Sequence, residues 1–260
     1  MPRLVVPAAL ALATVLSAQT ALFPLKDLKA GMHGTGRTVF NGNKIEDFQV
    51  EILGVLDNIG PKESLILARL SGGPLEHTGV MQGMSGSPVY IDGKLVGAVA
   101  MAFPFAKDPI AGIRPIEAML RTSTAATPPS AAPAASGQRA ALALNERDLT
   151  RRIPRLEPVL GGEARMIDIA TPVSFGGFSR ATLDAFAPQL RAVGLEPRQG
   201  VTSGGKIEPA MGNPADLKPG AMISVQLMAG DLSVGADGTV TLIDGNRIYA
   251  FGHQIGRAHV

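Results

Sequence analysis

The segment from Gly83 to Phe103 reads GMSGSPVYIDGKLVGAVAMAF and decides the fold of the first half of the chain. Two strand-like apolar runs flank the dipeptide Asp92-Gly93, which is the strongest short hairpin signal in the sequence. Just before the first run, Gly83 and Gly86 enclose Met84-Ser85. We therefore predict a glycine-rich turn that leads directly into a β-hairpin.

Composition favours the same kind of fold for the rest of the chain. The 260 residues include 31 Gly and 20 Pro and are 45% hydrophobic but only 4% aromatic, which favours short strands and turns over a helical bundle. Val, Ile and Leu dominate the runs FQVEILGVLD (48–57) and SLILARL (64–70), so both are predicted strands. The net charge of +2, without a basic run, argues against a nucleic-acid partner.

The N-terminus has the pattern of a secretory signal peptide at residues 1–18. Arg3 precedes an apolar run from Leu4 to Leu16 that is too short to cross a bilayer, and Ser17-Ala18 supplies small residues for cleavage. We therefore expect an exported protein, periplasmic or extracellular. No later run is long enough for a transmembrane helix, so no stable membrane span is expected after cleavage.

Two further units are separated by a low-complexity segment. Residues 23–121 carry the strand-like runs, residues 122–138 read TSTAATPPSAAPAASGQ and predict a linker, and residues 139–253 form a second, mixed α/β unit. In the first unit, IRPIEAMLR (113–121) predicts a short helix with Pro115 in its first turn.

The second unit combines a helical pattern with a final hairpin. RATLDAFAPQLRAVGL (180–195) has helical periodicity, with apolar residues at Leu183, Phe186, Leu190 and Val193. GTVTLIDGNRIYAFGH (238–253) predicts a strand, an Asp-Gly turn and a second strand.

Ser85 has the local surroundings of a nucleophile, but also those of a structural turn. A nucleophilic serine needs backbone N–H groups close by to hold an oxyanion, and Gly83 and Gly86 permit that approach. Pro88 sets the exit into the strand. Short glycine-serine motifs also occur as plain turns, so the local chemistry leaves both interpretations open.

The segment from Thr78 to Leu120, TGVMQGMSGSPVYIDGKLVGAVAMAFPFAKDPIAGIRPIEAML, resembles the SpoIVB peptidase family of bacterial serine peptidases. The resemblance implies a mainly β, trypsin-like β-barrel fold and a protein or peptide substrate. It also implies that Ser85 is the nucleophile, that Gly83, Ser85 and Gly86 form the oxyanion loop, and that Ser87 is a supporting loop residue.

The four histidines are His33, His77, His253 and His259. The segment GTVT…FGH resembles the family's segment around its catalytic histidine, which implies that His253 is the base. In the sporulation peptidases that segment precedes the serine, whereas here it follows. His33 is interpreted as a loop residue, and His77, eight residues before Ser85, as a coincidental neighbour.

The resemblance implies an acid shortly before the serine loop, in RLSGGPLE (69–76), where Glu76 is the only carboxylate. Asp108, inside the resembling segment, is the other possible acid. No cysteine, no clustered histidines and no phosphate-binding glycine motif are present, so we predict neither a metal site nor a cofactor.

The last residues do not look biological. IGRAHV (255–260) matches the translation of a common sequencing adapter, so we expect 254–260 to be a non-native tail on a naturally longer chain. Two functional alternatives remain beside the peptidase. One is a catalytically inactive secreted scaffold or regulatory protein with a peptidase-like fold, and the other is a PDZ-like peptide-binding role for LKPGAMISVQLMAGD (217–231).

Overall fold

The computed structural model describes residues 20–60, 63–103, 108–125, 166–200 and 216–253. Within these ranges the chain forms twelve β-strands and three α-helices, and a 3₁₀ turn at Leu25–Asp27 precedes the first strand. The strands divide into a closed barrel and a second, open sheet. The predicted mainly β, trypsin-like barrel fold is confirmed.

Six antiparallel strands close the barrel. Their spatial order is β4-β1-β2-β3-β6-β5, and pairing of β4 with β5 completes the ring. Their bounds are β1 His33–Val39, β2 Ile45–Gly60, β3 Glu63–Ser71, β4 Pro88–Ile91, β5 Lys94–Ala102 and β6 Ile110–Pro115. The short strand β7, Ile167–Asp168, adds to the outer edge of β5. The helix α1, Leu75–Thr78, lies between β3 and the serine loop, and α2, Ile116–Ala125, follows β6.

The hairpin predicted at Asp92-Gly93 is present and joins β4 to β5. Both turn residues have positive φ, 50° at Asp92 and 72° at Gly93, as a type I′ turn requires. This turn matches the right-handed twist of the two strands. It therefore sets the register in which Ile91 pairs with Lys94.

Alternate side chains of β2 fill the barrel interior. Phe48, Val50 and Ile52 are buried, whereas the intervening Gln49 is exposed and Glu51 half-buried. This is the two-residue repeat of a strand with one buried face and one solvent-exposed face. In contrast, every residue of β5 from Leu95 to Met101 is buried, because other elements cover the outside of the barrel at this strand.

The second sheet packs on that outer face of β5. Its order is β10-β11-β8-β9, and β12 pairs with the C-terminal half of β11. The strands are β8 Thr171–Gly176, β9 Leu195–Gln199, β10 Met222–Met228, β11 Ser233–Asp244 and β12 Arg247–Ala250. Leu242 of β11 packs with Leu95 of β5 and Ile116 of α2 in one apolar cluster. The contact joins the second unit to the barrel.

Helix α3, Arg180–Ala192, connects the parallel strands β8 and β9. Ser179 caps its N-terminus by accepting a hydrogen bond from the Thr182 N–H at 3.1 Å. At the other end, Arg191 donates two hydrogen bonds to Glu196 of β9, at 2.8 and 2.9 Å. The hydrogen bonds from Arg191 hold the pKa of the Glu196 carboxyl below its usual value.

Three local predictions differ from the structure. Helix α2 starts only at Ile116, because Ile113–Pro115 belong to strand β6 and pair with β5. Helix α3 buries Leu183 and Ala187 but leaves Phe186 58% exposed, so the buried face is narrower than the apolar pattern predicts. The turn between β11 and β12 consists of Gly245 and Asn246, one residue beyond the predicted Asp-Gly pair, since Asp244 still pairs with Arg247.

The predicted signal peptide (1–18) and the predicted tail (254–260) lie outside the described residues. So does most of the predicted linker; its first four residues belong to α2. Across the described ranges, no helix is long and apolar enough to cross a membrane.

Gly36, which pairs with Phe48 across β1 and β2, provides a test of the barrel packing. Gly36 of β1 leaves space for the ring of Phe48, and a Cβ at this position would collide with that ring. We expect Gly36→Ala to lower the free energy of unfolding by about 1–3 kcal/mol through overpacking. The measurement is urea denaturation.

The matched control is Gly54→Ala, in the adjacent strand β2, where a Cβ would have no atom within 4 Å. We expect this control to stay near wild type, and Phe48→Leu to restore part of the loss in the Gly36→Ala background. Equal destabilisation by both alanines would contradict the packing explanation.

Candidate active site

The GMSGSP loop consists of two β-turns in tandem. Met84 N–H donates to Met81 O at 3.3 Å and Ser87 N–H donates to Met84 O at 2.9 Å. Each turn has a glycine as its third residue, Gly83 with φ 91° and Gly86 with φ 94°. A type II turn requires positive φ at this position, which favours glycine. The three-residue spacing of the glycines is thus the repeat of the tandem turns.

The second glycine also allows close approach by another segment. A Cβ at Gly86 would collide with Thr239 O and with Phe251 N. Both residues belong to the second unit, in β11 and just after β12. The serine loop of the barrel is therefore packed directly against the backbone of the second sheet.

Ser85 lies at the centre of this contact. The residue is 1% exposed, and its Oγ donates a hydrogen bond to the carbonyl oxygen of Phe251. Ser87 is also buried, but its Oγ has no hydrogen-bond partner among the described residues. Of these two hydroxyl groups, that of Ser85 therefore hydrogen-bonds to the segment that carries the predicted base, whereas that of Ser87 has no partner among the described residues.

Strand β11 supplies hydrogen-bond donors to the loop. Thr239 donates from its N–H to Ser85 O at 2.9 Å and from its Oγ1 to Gly83 O at 2.8 Å. Thr241 donates from its Oγ1 to Gly86 O at 2.6 Å. Since alternate residues of a strand share a face, the threonines of GTVT both point at the loop.

Two backbone N–H groups of the loop have no acceptor among the described residues. The carbonyl groups of residues 83 to 86 all accept hydrogen bonds, three from β11 and one, at Met84, from Ser87 N–H. Among the described residues, the N–H groups of Met84, Gly86 and Ser87 have acceptors, whereas those of Gly83 and Ser85 have none. The unused N–H groups are those of the nucleophile candidate and of the residue two before it.

His253 follows a tight turn that ends at the serine loop. Phe251 and Gly252 both have positive φ, 69° and 65°. The carbonyl oxygen of Phe251 accepts the Ser85 hydroxyl and also the N–H of His253, the latter at 2.8 Å. His253 as a residue is half-buried, and its Nε2 is inaccessible to solvent. The fold thus brings Ser85 and His253 to one shared carbonyl group, although 168 positions separate them in the chain.

A further glycine, Gly238, makes room for the Phe251 ring in the turn that precedes His253. The ring of Phe251 is 6% exposed and lies over Gly238, where a Cβ would collide with it. Phe251 N–H donates to Thr239 O at 3.2 Å. Gly238 and Thr239, the first two residues of the GTVT motif, therefore fix the residue that precedes Gly252-His253.

The remaining predicted site residues lie elsewhere. Glu76 and His77 are exposed on α1, Asp108 is exposed before β6, and His33 is exposed on β1. Within the described part of the chain, neither the Glu76 nor the Asp108 carboxylate takes part in a hydrogen bond or ion pair. No group of three or more metal-binding side chains occurs in the described ranges.

Thr239, Thr241 and Phe251 contact the serine loop but were not among the residues predicted from the sequence. The two threonines had a detectable signal, since polar residues at positions i and i+2 of a strand share a face and both need partners when buried. Phe251 had no such signal in the sequence, because nothing about a phenylalanine indicates that its backbone will adopt a positive φ.

Comparison with known families supports the assignment made from the sequence. Residues 21–120 match the family model described as SpoIVB peptidase S55. Searches of curated proteins and of solved structures gave no match. The matched segment contains the whole barrel and the serine loop. Strand β11, which supplies donors to that loop, lies outside the match.

The buried contact of Thr241 gives a test of how the loop is held. We expect Thr241→Val to lower the free energy of unfolding by about 1–3 kcal/mol, because the Gly86 carbonyl loses its donor inside the protein. Thr241→Ser keeps the donor, so a smaller loss is expected. Both are measured by urea denaturation.

Thr38→Val is the matched control. Thr38 is 1% exposed, and its hydroxyl has no hydrogen-bond partner among the described residues. We expect this control to retain wild-type stability. If Thr241→Val did so too, the hydrogen bond to Gly86 would not be holding the loop.

Proposed function

We propose that this chain, whose residues 21–120 belong to the SpoIVB peptidase S55 family, is a serine endopeptidase with Ser85 as nucleophile and His253 as general base. Its substrates would be proteins or peptides, as the family implies. With the signal peptide predicted from the sequence, we propose that it acts outside the cytoplasm.

The observation that carries this proposal is that the N–H groups of Gly83 and Ser85 have no acceptor in the described part of the chain. Every carbonyl of residues 83 to 86 is already bonded, so this part of the loop offers a substrate carbonyl donors and no competing acceptor. Acyl transfer needs this arrangement, since the carbonyl oxygen becomes negatively charged in the tetrahedral intermediate. Preorganised donors stabilise that charge without having to reorient during the reaction.

The proposed chemistry begins at the Ser85 hydroxyl. In the structure this hydroxyl donates to Phe251 O. For the reaction, Ser85 Oγ would have to leave that carbonyl by rotation about χ1 and hydrogen-bond to the His253 ring instead. His253 then accepts the proton while Oγ attacks the peptide carbonyl, and it returns the proton to the leaving amine. Water, activated by the same imidazole, hydrolyses the acyl-enzyme.

One observation favours the alternative of an inactive scaffold or regulatory protein. Ser85 is 1% exposed, and its hydroxyl is already bonded to a backbone carbonyl. A nucleophile must be reachable by its substrate. A protein that keeps the peptidase fold only to bind partners would have no need to open this contact.

Labelling with a fluorophosphonate probe separates the two functions. We expect the folded wild-type protein to be labelled, and Ser85→Ala to lose the label completely, since the probe reacts with an activated serine. Ser87→Ala is the matched control, because Ser87 is buried two residues away and its hydroxyl has no partner among the described residues. It should label like wild type.

The same probe identifies the base. We expect His253→Ala to slow labelling by about 10²–10⁴-fold, the usual contribution of general base catalysis, and His77→Ala to have no effect. Wild-type protein that is folded by circular dichroism but not labelled would instead support the scaffold function.

A further inference from the structure

We infer that Thr239 is a positioning residue for the oxyanion loop, and that the second unit, through this residue, controls whether the Gly83 N–H points into the site. The inference deepens the proposed function and rests on Ser85 being the nucleophile. Thr239 lies outside the family match, on β11.

Thr239 bonds to both predicted catalytic segments. Its hydroxyl holds Gly83 O at 2.8 Å and its N–H holds Ser85 O at 2.9 Å. Its carbonyl accepts the N–H of Phe251 at 3.2 Å, and Phe251 leads to His253. The residue is 2% exposed, so these groups have no water to replace the bonds.

The first turn of the loop depends on the hydroxyl. Its central peptide joins Gln82 to Gly83 and carries the Gly83 N–H. Type I and type II turns differ by a flip of this peptide, which would reverse the direction of that N–H. Among the described residues, the backbone of Gln82 and Gly83 has one hydrogen bond, from Thr239 Oγ1 to Gly83 O. This bond fixes the peptide that follows Gly83 and so restrains the turn in its type II form.

The second turn is held differently and would survive loss of the hydroxyl. Its central peptide is bonded at both ends, from Thr239 N–H to Ser85 O and from Gly86 N–H to Val99 O at 2.8 Å. Thr241 adds a third bond, to Gly86 O. A valine at position 239 would retain the backbone bonds to Ser85 and Phe251. Removing the hydroxyl therefore affects mainly Gly83.

The test compares Thr239→Val with Thr239→Ser and with Thr171→Val in the full chain. Thr171 is a matched control in the second sheet, 1% exposed, with a hydroxyl that has no partner among the described residues. The measured quantity is the second-order rate constant for labelling by the fluorophosphonate probe, determined as a function of pH.

We expect Thr239→Val to label about 10- to 100-fold more slowly, below the 10²–10³-fold loss seen when an oxyanion donor is removed outright. Thr239→Ser and Thr171→Val should stay within about twofold of wild type. The midpoint of the pH profile should not move, because the base is unchanged. Labelling of Thr239→Val at the wild-type rate, or equal slowing by Thr171→Val, overturns the inference.

A crystal structure of Thr239→Val provides a readout independent of activity. If wild-type protein does not label, the proposed function fails, and the inference is then decided by the Gly83 turn alone. A flipped Gln82–Gly83 peptide supports it, and an unchanged turn overturns it. If Thr239→Val does not fold, Thr239→Ala is used in its place. Failure of both to fold contradicts a role confined to the loop.

Discussion

The hydrogen bonds between β11 and the GMSGSP loop are the interaction on which the rest of the site depends. A loop of two tandem turns cannot satisfy its own carbonyl groups, and in a buried position each unsatisfied group costs free energy. Strand β11 provides three of the donors, from two threonines, and the loop itself provides the fourth. The N–H groups of Gly83 and Ser85 have no acceptor among the described residues.

The same contact explains why the barrel and the second sheet are joined where they are. Gly86 and Gly238 have no side chain, so the backbones of the loop, β11 and the Phe251 turn can approach one another closely. Burial of β5 on both faces follows from this arrangement, since Leu242 of β11 packs on Leu95. Packing of apolar side chains and alignment of the polar loop therefore support each other.

Much of the fold was predictable because its signals are local. Alternating burial in β2 and the Asp92-Gly93 turn follow from strand periodicity and turn chemistry. The misplaced start of α2 has a non-local cause, since pairing with β5 keeps Ile113–Pro115 extended although the following residues favour a helix. The exposed Phe186 has a similar cause, because α3 covers only a narrow part of the sheet, at Leu183 and Ala187.

A glycine-rich turn around Ser85 was predictable from Gly83 and Gly86, because positive φ strongly favours glycine; the structure shows that it consists of two turns in tandem. The sequence also indicated His253, through the resemblance of its segment to a known family. That Ser85 and the His253 segment meet at Phe251, and that Thr239 links them, is visible only in the folded chain. Hydrogen bonds between residues more than 150 positions apart depend on how two sheets pack, and no local pattern encodes that packing.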